Sequence, residues 1–306
     1  MTSLRMLVVS VSIVAALAMA PAAHAKTVNG CALKENAKCA SKNLNWKLSF
    51  HGKLNGANFY SAKLRGADLR NANLKGADLR QADLTSADLT GAYLNGAKLK
   101  GAILTSANFS NATVTGANLT AVSAENSRFY GTELKNSTLS NGDFSNATFY
   151  GADFTNANLT GSNQPPPPPP FSTQKPKTTT NLINANLWGA TLTGTDLTNV
   201  NLENANLYGV VAQPAPANFT GALLYSANLS SAIFDGANFT KAFMHASSIQ
   251  ITSLDGANFT DASLGSVVLI NSSFQGADFT GAIFPRAVWI NVTCPNGTTQ
   301  STPCAS

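Results

Sequence analysis

Few side chains in this 306-residue sequence are of types that carry chemistry, and their spacing is not that of a catalytic site. Beyond residue 25 there are two histidines, His51 and His245, which lie far apart in sequence and are not expected to share a column of the repeat described below. The sequence contains no nucleophile motif, phosphate-binding loop or pair of inward carboxylates. We therefore expect no catalytic residue, cofactor or metal site, and enzymatic activity is the weakest of the functions considered.

A group of basic residues, here called the basic collar, is the first candidate binding surface. Its four members are five residues apart: Arg65, Arg70, Lys75 and Arg80. Such a group could attract an anionic envelope surface, for example lipid headgroups or polysaccharide. The alternative is a solvated surface of local ion pairs, because Lys63 precedes Asp83 by twenty residues, as Asp78 precedes Lys98. Residues at that separation should stack as opposite charges.

A threonine column is the second candidate surface. Its members are twenty residues apart, and each follows an asparagine or aspartate by two residues: Thr220, Thr240, Thr260 and Thr280. A flat array of threonines on a β-solenoid could bind ice or a crystalline glycan. Threonine also favours exposed β positions without any ligand, so both interpretations stay open.

Both surfaces are positioned by a five-residue repeat, which is plainest in GADLRNANLKGADLR at residues 66–80. Leu or Phe occupies almost every fifth position from Leu54 to Leu159, a small residue stands two positions earlier, and Gly, Ser or Asn usually follows two positions later. A period of five fits neither regular element, because successive leucines would rotate about a helix and would alternate between the faces of a strand. Each unit must therefore contain a bend, which Gly, Asn and Ser tolerate.

The second half of the sequence gives the number of units in a coil. DGANFT occurs at 235–240 and again at 255–260, and QGADFT follows at 275–280. Twenty residues are four units, so the sequence predicts a solenoid of four-sided coils joined by backbone hydrogen bonds. The aromatic centres of these units should stack inside it: Phe219, Phe239, Phe259 and Phe279.

These units resemble those of the pentapeptide repeat family, whose consensus is A-(D/N)-L-x-x. The resemblance covers nearly all of residues 52–291 and implies an all-β fold, a right-handed quadrilateral β-helix with four five-residue sides per coil. It implies no single function, because the family is functionally diverse. Some cytosolic members resemble duplex DNA and inhibit DNA gyrase. Residues 26–165 carry 15 Lys and Arg against 9 Asp and Glu, and together with the export signal this argues against that role. We expect no nucleic-acid partner.

The remaining segments lie around and between two blocks of repeats. In residues 1–25, Arg5 precedes an apolar run from Leu7 to Ala20 and a small-x-small site, which predicts a signal peptide. A retained N-terminal anchor is the alternative. No later segment is apolar enough to cross a bilayer, so we expect an exported protein, periplasmic or extracellular, and not an integral membrane protein. The other segments are a cap at 26–51, a first block at 52–162, a proline-rich inserted loop at 163–180, a second block at 181–291 with a short insert near 209–217, and a tail at 292–306.

Four cysteines lie at the two ends, and an even number in an exported chain favours disulfides. Local pairing is the simplest choice, Cys31 with Cys39 and Cys294 with Cys304. Since these stapled segments occur only at the outer ends, we expect one continuous solenoid with two bulging loops. The sequence thus predicts a non-enzymatic exported scaffold or interaction surface whose partner is an unknown protein or envelope component. Ligand binding by the threonine column or the basic collar is the alternative.

Overall fold

The computed structural model describes residues 26–45, 48–160, 162 and 180–304. The predicted signal peptide and nearly all of the proline-rich loop lie outside these residues. The longest strands are only three residues long, and they form one parallel sheet in the order β3-β4-β5. The strands in chain order are β1 (Thr27–Val28), β2 (Cys31–Ala32), β3 (Ser248–Gln250), β4 (Val268–Ile270), β5 (Val288–Ile290), β6 (Val292–Thr293) and β7 (Thr299–Gln300).

A ladder of single parallel bridges, rather than long strands, forms most of the fold. The first bridge pairs Lys38 with Asn58, and the last pairs Ser273 with Thr293. One bridge residue occurs in each five-residue unit, and most partners are twenty residues apart. Each coil therefore contributes four bridge residues to four columns that run along the solenoid. This coil length is the one that the sequence pattern predicts.

The residues inside the coils form one hydrophobic core that continues from the N-terminal cap to Val292. Leu69 at the centre of its unit and Ala72 in the small position are no more than 1% exposed. Between them the chain turns: Ala72 N–H donates to the Leu69 carbonyl at 3.0 Å, and Asn71 has a φ of 56°. The left-handed conformation of this turn residue explains why Gly, Asn and Ser recur there.

The aromatic centres stack as predicted along most of their column. Phe219 and Phe239 are nearly parallel with ring centroids 4.8 Å apart, and Phe239 and Phe259 are parallel at 5.0 Å. The last pair differs, because Phe259 and Phe279 lie 5.6 Å apart at 61°. Phe279 belongs to the final full coil, where it also contacts the ring of Phe284 at 5.1 Å. The stack therefore ends in edge-to-face contacts, which aromatic rings also favour.

The two interruptions lengthen single coils without breaking the ladder. Thr148 pairs with Asn181 across the proline-rich loop, and the next two columns skip the same length of chain. The Thr180 hydroxyl donates to the Phe144 carbonyl at 3.0 Å, so the second block stacks directly on the first. Around the second insert the step is only slightly longer than the usual twenty residues, as between Asp196 and Asn218.

A disulfide-bonded hairpin covers each end of the ladder. At the N-terminus β1 pairs with β2, and Cys31 is bonded to Cys39. At the C-terminus β6 pairs with β7, and Cys294 is bonded to Cys304. Cys31, Cys39 and Cys294 are at most 2% exposed, so each staple is anchored in the core.

Candidate interaction surfaces

Three side chains of every unit face outward: the bridge residue, the residue two positions later and the turn residue after it. The bridge residue is most often Asn or Asp, and its side-chain oxygen commonly accepts the N–H of the second outward residue. Asn58 accepts from Tyr60 in this way at 2.9 Å, and Asn118 accepts from Thr120 at 3.0 Å. This Asx-type turn is the local reason for the D/N of the repeat. It also means that many outward polar groups are already engaged within their own coil.

The basic collar occupies four successive columns, but three of its four members meet carboxylates. Arg70 binds Asp68 with two hydrogen bonds, from Nε at 2.8 Å and Nη2 at 2.9 Å. Arg80 binds Asp78 in the same bidentate manner at 2.8 and 2.7 Å. The Nε of Arg65 lies 3.9 Å from Asp83 in the next coil. Of the four, only Lys75 has no ion pair with a described residue.

These pairs lower the pKa values of the carboxyls. Hydrogen bonding from Arg70, and secondarily from His51, holds the pKa of Asp68 well below its usual range. Arg80 lowers the pKa of Asp78 for the same reason. The stacked bridge between Lys63 and Asp83 adds further opposite charge beside the collar. The spacing argument predicted only this pairing between coils and overlooked the ion pairs within a unit. The signal for them was the carboxylate two residues before each of Arg70 and Arg80.

The threonines of the column are also hydrogen-bonded within their coils. Thr220 and Thr240 each donate their hydroxyl to the asparagine two residues earlier at 2.6 Å, and Thr260 does so at 2.7 Å. Hydrogen bonds from Thr280 and then Thr260 lower the pKa of Asp278 at the end of the column. Because these hydroxyls donate their hydrogens to asparagines, the column can offer an external ligand mainly hydrogen-bond acceptors.

The column has a fifth member that sequence spacing did not reveal. Thr198 donates to Asp196 at 2.6 Å, and the Asn218 amide donates to the Thr198 hydroxyl at 2.9 Å. The second insert falls between Thr198 and Thr220, so these two threonines are slightly more than twenty residues apart. A search at a fixed separation of twenty residues therefore misses Thr198.

The two histidines lie on one column, which corrects the expectation that they do not. Ser49 pairs with Asp68, a separation one short of the usual twenty, and this local slip aligns His51 with Arg70. The Nε2 atom of His51 lies 2.9 Å from Asp68, whereas His245 lies many coils away against Tyr225, with ring centroids 5.6 Å apart. The Nε2 atom of His245 is 3.3 Å from the Ser263 hydroxyl. The shared column therefore does not assemble a histidine site.

An internal cavity lined in part by Ser162 and Thr180 is also a poor ligand site. Its volume of about 10 Å³ is that of a single water. It is lined mainly by leucine and phenylalanine, and the hydroxyls at its wall donate to carbonyls of the preceding coil, Ser162 to Leu139 at 2.7 Å and Thr195 to Leu159 at 2.8 Å. Among the described residues, no cluster of three His, Cys, Asp or Glu side chains could hold a metal ion. Nor do those residues contain a helix long and apolar enough to span a bilayer.

A third surface, unnoticed in the sequence, lies on the last three coils, and we call it the apolar corner. On two adjacent columns there, six outward side chains are aliphatic or aromatic, although Ser263 stands between two of them and Ser248 and Gln250 occupy the first of the three coils. On one column Phe243 is 41% and Ile283 56% exposed; on the next Val288 and Ile290 are each 45% exposed. Val268 and Ile270 stand beside the latter pair in β4. The sequence signal for this surface was the presence of apolar residues at outward positions of the repeat.

Comparison with known proteins assigns the repeat. The family model described as pentapeptide repeats matches residues 53–91, 82–120, 127–163, 180–211, 217–248 and 252–288, which together make up more than half of the chain. A search of curated proteins gives no match.

Solved structures that the chain is similar to are themselves pentapeptide repeat proteins. HetL, involved in heterocyst differentiation regulation in the cyanobacterium Nostoc sp. strain PCC 7120, is 27% identical, with 87% of this chain and 94% of HetL covered and a TM-score of 0.32. A protein from the thylakoid lumen of Arabidopsis thaliana is 26% identical over 36% of this chain and 69% of that one, with a TM-score of 0.26. QnrB1, a plasmid-mediated fluoroquinolone resistance protein, is 19% identical over 78% and 91%, with a TM-score of 0.34. At such low TM-scores the superpositions add nothing to the matched repeats.

Proposed function

Because the chain belongs to the pentapeptide repeat family, we propose that it is a non-enzymatic, exported scaffold that presents rigid outer surfaces to a protein or envelope component. The observation that carries this proposal is the ladder itself. Parallel bridges connect every described coil from Lys38 to Thr293, and they continue across both inserts. Outward side chains are thereby held at fixed positions about 4.8 Å apart along each column. Such preorganisation lowers the entropic cost of binding a partner.

The proposed architecture is the right-handed quadrilateral β-helix of the family. Four bridge columns and a twenty-residue coil support it. Export is supported by the buried disulfides at both ends, since such bonds persist in oxidising compartments. The apolar run from Leu7 to Ala20 would then be the export signal.

The two ligand-binding alternatives are less well supported by the geometry. The threonine hydroxyls donate to neighbouring asparagines, so ice or glycan would have to compete with intramolecular hydrogen bonds at 2.6 and 2.7 Å. Arg70 and Arg80 of the collar are engaged by Asp68 and Asp78, which reduces the positive potential available to an anionic surface. A scaffold role requires neither surface to be free.

The proposal is tested by crosslinking the tagged chain in its native host and purifying it from the envelope fraction under denaturing conditions. A scaffold should recover one or a few partners at near-constant ratio to the chain. The control is an unrelated exported β-solenoid with the same tag, expressed at the same level. A set of captured components indistinguishable from that of the control would argue against the scaffold function.

A further inference from the structure

The apolar corner departs from the commonest arrangement of the outer surface. Elsewhere Asn or Asp is the commonest bridge residue and accepts the N–H two residues later, although single apolar bridge residues such as Ile103 and Ile233 also occur. Val268 and Val288 cannot accept, and their partners two positions on are Ile270 and Ile290. The backbone here forms the three-residue strands β4 and β5, as β-branched residues favour. The repeat therefore does not require these side chains, and solubility disfavours them.

Two turns of these coils, at different corners, carry a residue other than the usual Gly, Asn or Ser in the left-handed conformation. Ile251 has a φ of 55° and is 67% exposed, although a β-branched side chain is strained there. Arg286 has a φ of 59° at the turn between the two columns of the apolar corner. Strain of this kind costs free energy and tends to persist where function requires it. Long side chains such as those of Gln81 and Lys241 adopt the same conformation elsewhere, but among the described residues Ile251 is the only β-branched one that does so, and it marks the first of these three coils.

The size and shape of the apolar corner restrict what could cover it. Three coils about 4.8 Å apart and two sides each roughly 10 Å wide give a total area of roughly 300 Å², of which the apolar side chains cover only a part. A stable dimer buries about 800 Å² per partner, so a second copy of this chain would be held too weakly by this surface alone. The surface is also convex, since it wraps around the turn at Arg286. A rigid, flat partner could touch only one of its two sides, whereas a deformable one could cover both.

The charges around the apolar corner favour an uncharged partner. Asp235, Asp255 and Asp278 of these coils lie on the other two columns, and Asp261 lies at the turn that leads into the column of Phe243. Residues 178–306 carry 2 Lys and Arg against 6 Asp and Glu, which would repel an anionic bilayer. Arg286 is exposed and forms no ion pair with a described residue. Its long stem can lie along apolar groups while the guanidinium reaches the phosphate of a zwitterionic headgroup.

We propose that the apolar corner inserts into the surface of an uncharged lipid bilayer and so attaches the last coils of the solenoid to a membrane. This inference rests on the proposed scaffold function and names lipid as the envelope component that it binds. The basic collar and threonine column, far along the rod or on other columns, would stay exposed. A protein with a concave apolar groove is the competing occupant, and the experiment below distinguishes the two.

The test is flotation with large unilamellar phosphatidylcholine vesicles. The chain is produced through an export-competent host and its N-terminus is defined by mass spectrometry, because the run Leu7–Ala20 would itself bind lipid if retained. Ile283→Asn with Ile290→Asn removes one side chain from each column of the corner. The matched control is Ile103→Asn with Ile233→Asn, which are 42% and 40% exposed on the other two columns.

We expect the wild-type chain and the control pair to float. The corner pair should partition at least tenfold less, since burial of even one of its two isoleucines is worth about a factor of ten. Equal circular dichroism spectra and unfolding midpoints of the two pairs exclude misfolding as the cause. An equal loss in both pairs, or binding that requires anionic lipid, would overturn the inference. Absence of flotation of the wild-type chain would also overturn it. If a crosslinked protein partner of the wild-type chain were then lost in the corner pair, the scaffold function would still stand.

Discussion

Replacing either of two glycines of one coil by alanine should separate backbone strain from a specific contact between coils. Gly91 and Gly96 occupy successive turns with nearly the same φ, +66° and +63°. A Cβ on Gly91 would lie 2.4 Å from Oδ1 of Asn71 in the preceding coil, whereas a Cβ on Gly96 would meet nothing within 4 Å. The same arrangement recurs along the solenoid, for example between Asn111 and Gly131 at 2.8 Å.

The expected magnitudes follow from these contacts. Both substitutions place alanine in the left-handed region at a cost of about 1–2 kcal/mol, partly offset by the lower entropy of the unfolded chain, about 0.4–1 kcal/mol. Gly96→Ala should therefore destabilise the protein by about 0.5–1 kcal/mol. Gly91→Ala must in addition move the Asn71 amide from its position, which costs about 0.5–1.5 kcal/mol more for an unfavourable rotamer.

Urea denaturation followed by circular dichroism measures the difference. The two single variants should differ by about 1 kcal/mol, and Asn71→Gly combined with Gly91→Ala should remove that difference, as in a double-mutant cycle. Because repeat proteins can unfold segment by segment, hydrogen exchange of the coil at 86–105 provides a local readout that does not assume two states. If Gly91→Ala and Gly96→Ala are equally destabilising, the turn side chains do not couple the coils and the reasoning is refuted.

Two further predictions concern the core and the collar. Phe239→Leu restores the commonest residue of the repeat but should destabilise the chain by about 1–3 kcal/mol in thermal or urea unfolding, because it removes two parallel ring contacts at 4.8 and 5.0 Å; equal stability would mean that leucine fills the same space. The lowered pKa values of Asp68 and Asp78 mean that the folded state holds protons less tightly than the unfolded state, so their stabilising contribution is complete above about pH 5 and is lost as the pH falls through the folded-state values. Arg70→Gln should therefore lower the unfolding midpoint at neutral pH and lose that effect in acid, while Lys75→Gln should show no such pH dependence.

The sequence predicts the coil well because the repeat specifies it locally. A leucine, an alanine and a left-handed turn residue recur within each unit, so the buried positions follow from spacing alone, as Leu69 and Ala72 illustrate. Surfaces are harder to predict, since they require the register between coils. The two inserts lengthen the separation of bridge partners beyond the usual twenty residues, and a slip at Ser49 shortens it by one. Thr198 and the column of His51 were missed for this reason.

The spacing of the repeat also did not show whether an outward side chain bonds within its own unit or faces an external ligand. Arg70 could have faced an external anion, but Asp68 stands two residues earlier on the same face and takes both of its hydrogen bonds. The same two-residue relation joins Thr220 to Asn218. A candidate surface in such a repeat can therefore be judged only after the acceptor two residues before it has been considered.

The hydrogen bond between each outward residue and the acceptor two residues earlier limits how such a solenoid can bind a partner. The Asx-type turns that shape each unit consume the donors and acceptors of its outward residues, as between Asn118 and Thr120. A partner that competes for those groups gains little, because each new hydrogen bond replaces an existing one. Apolar burial carries no such exchange. Binding strength should therefore come from the units where the turn acceptor is replaced by an apolar residue, as Val288 replaces it in β5.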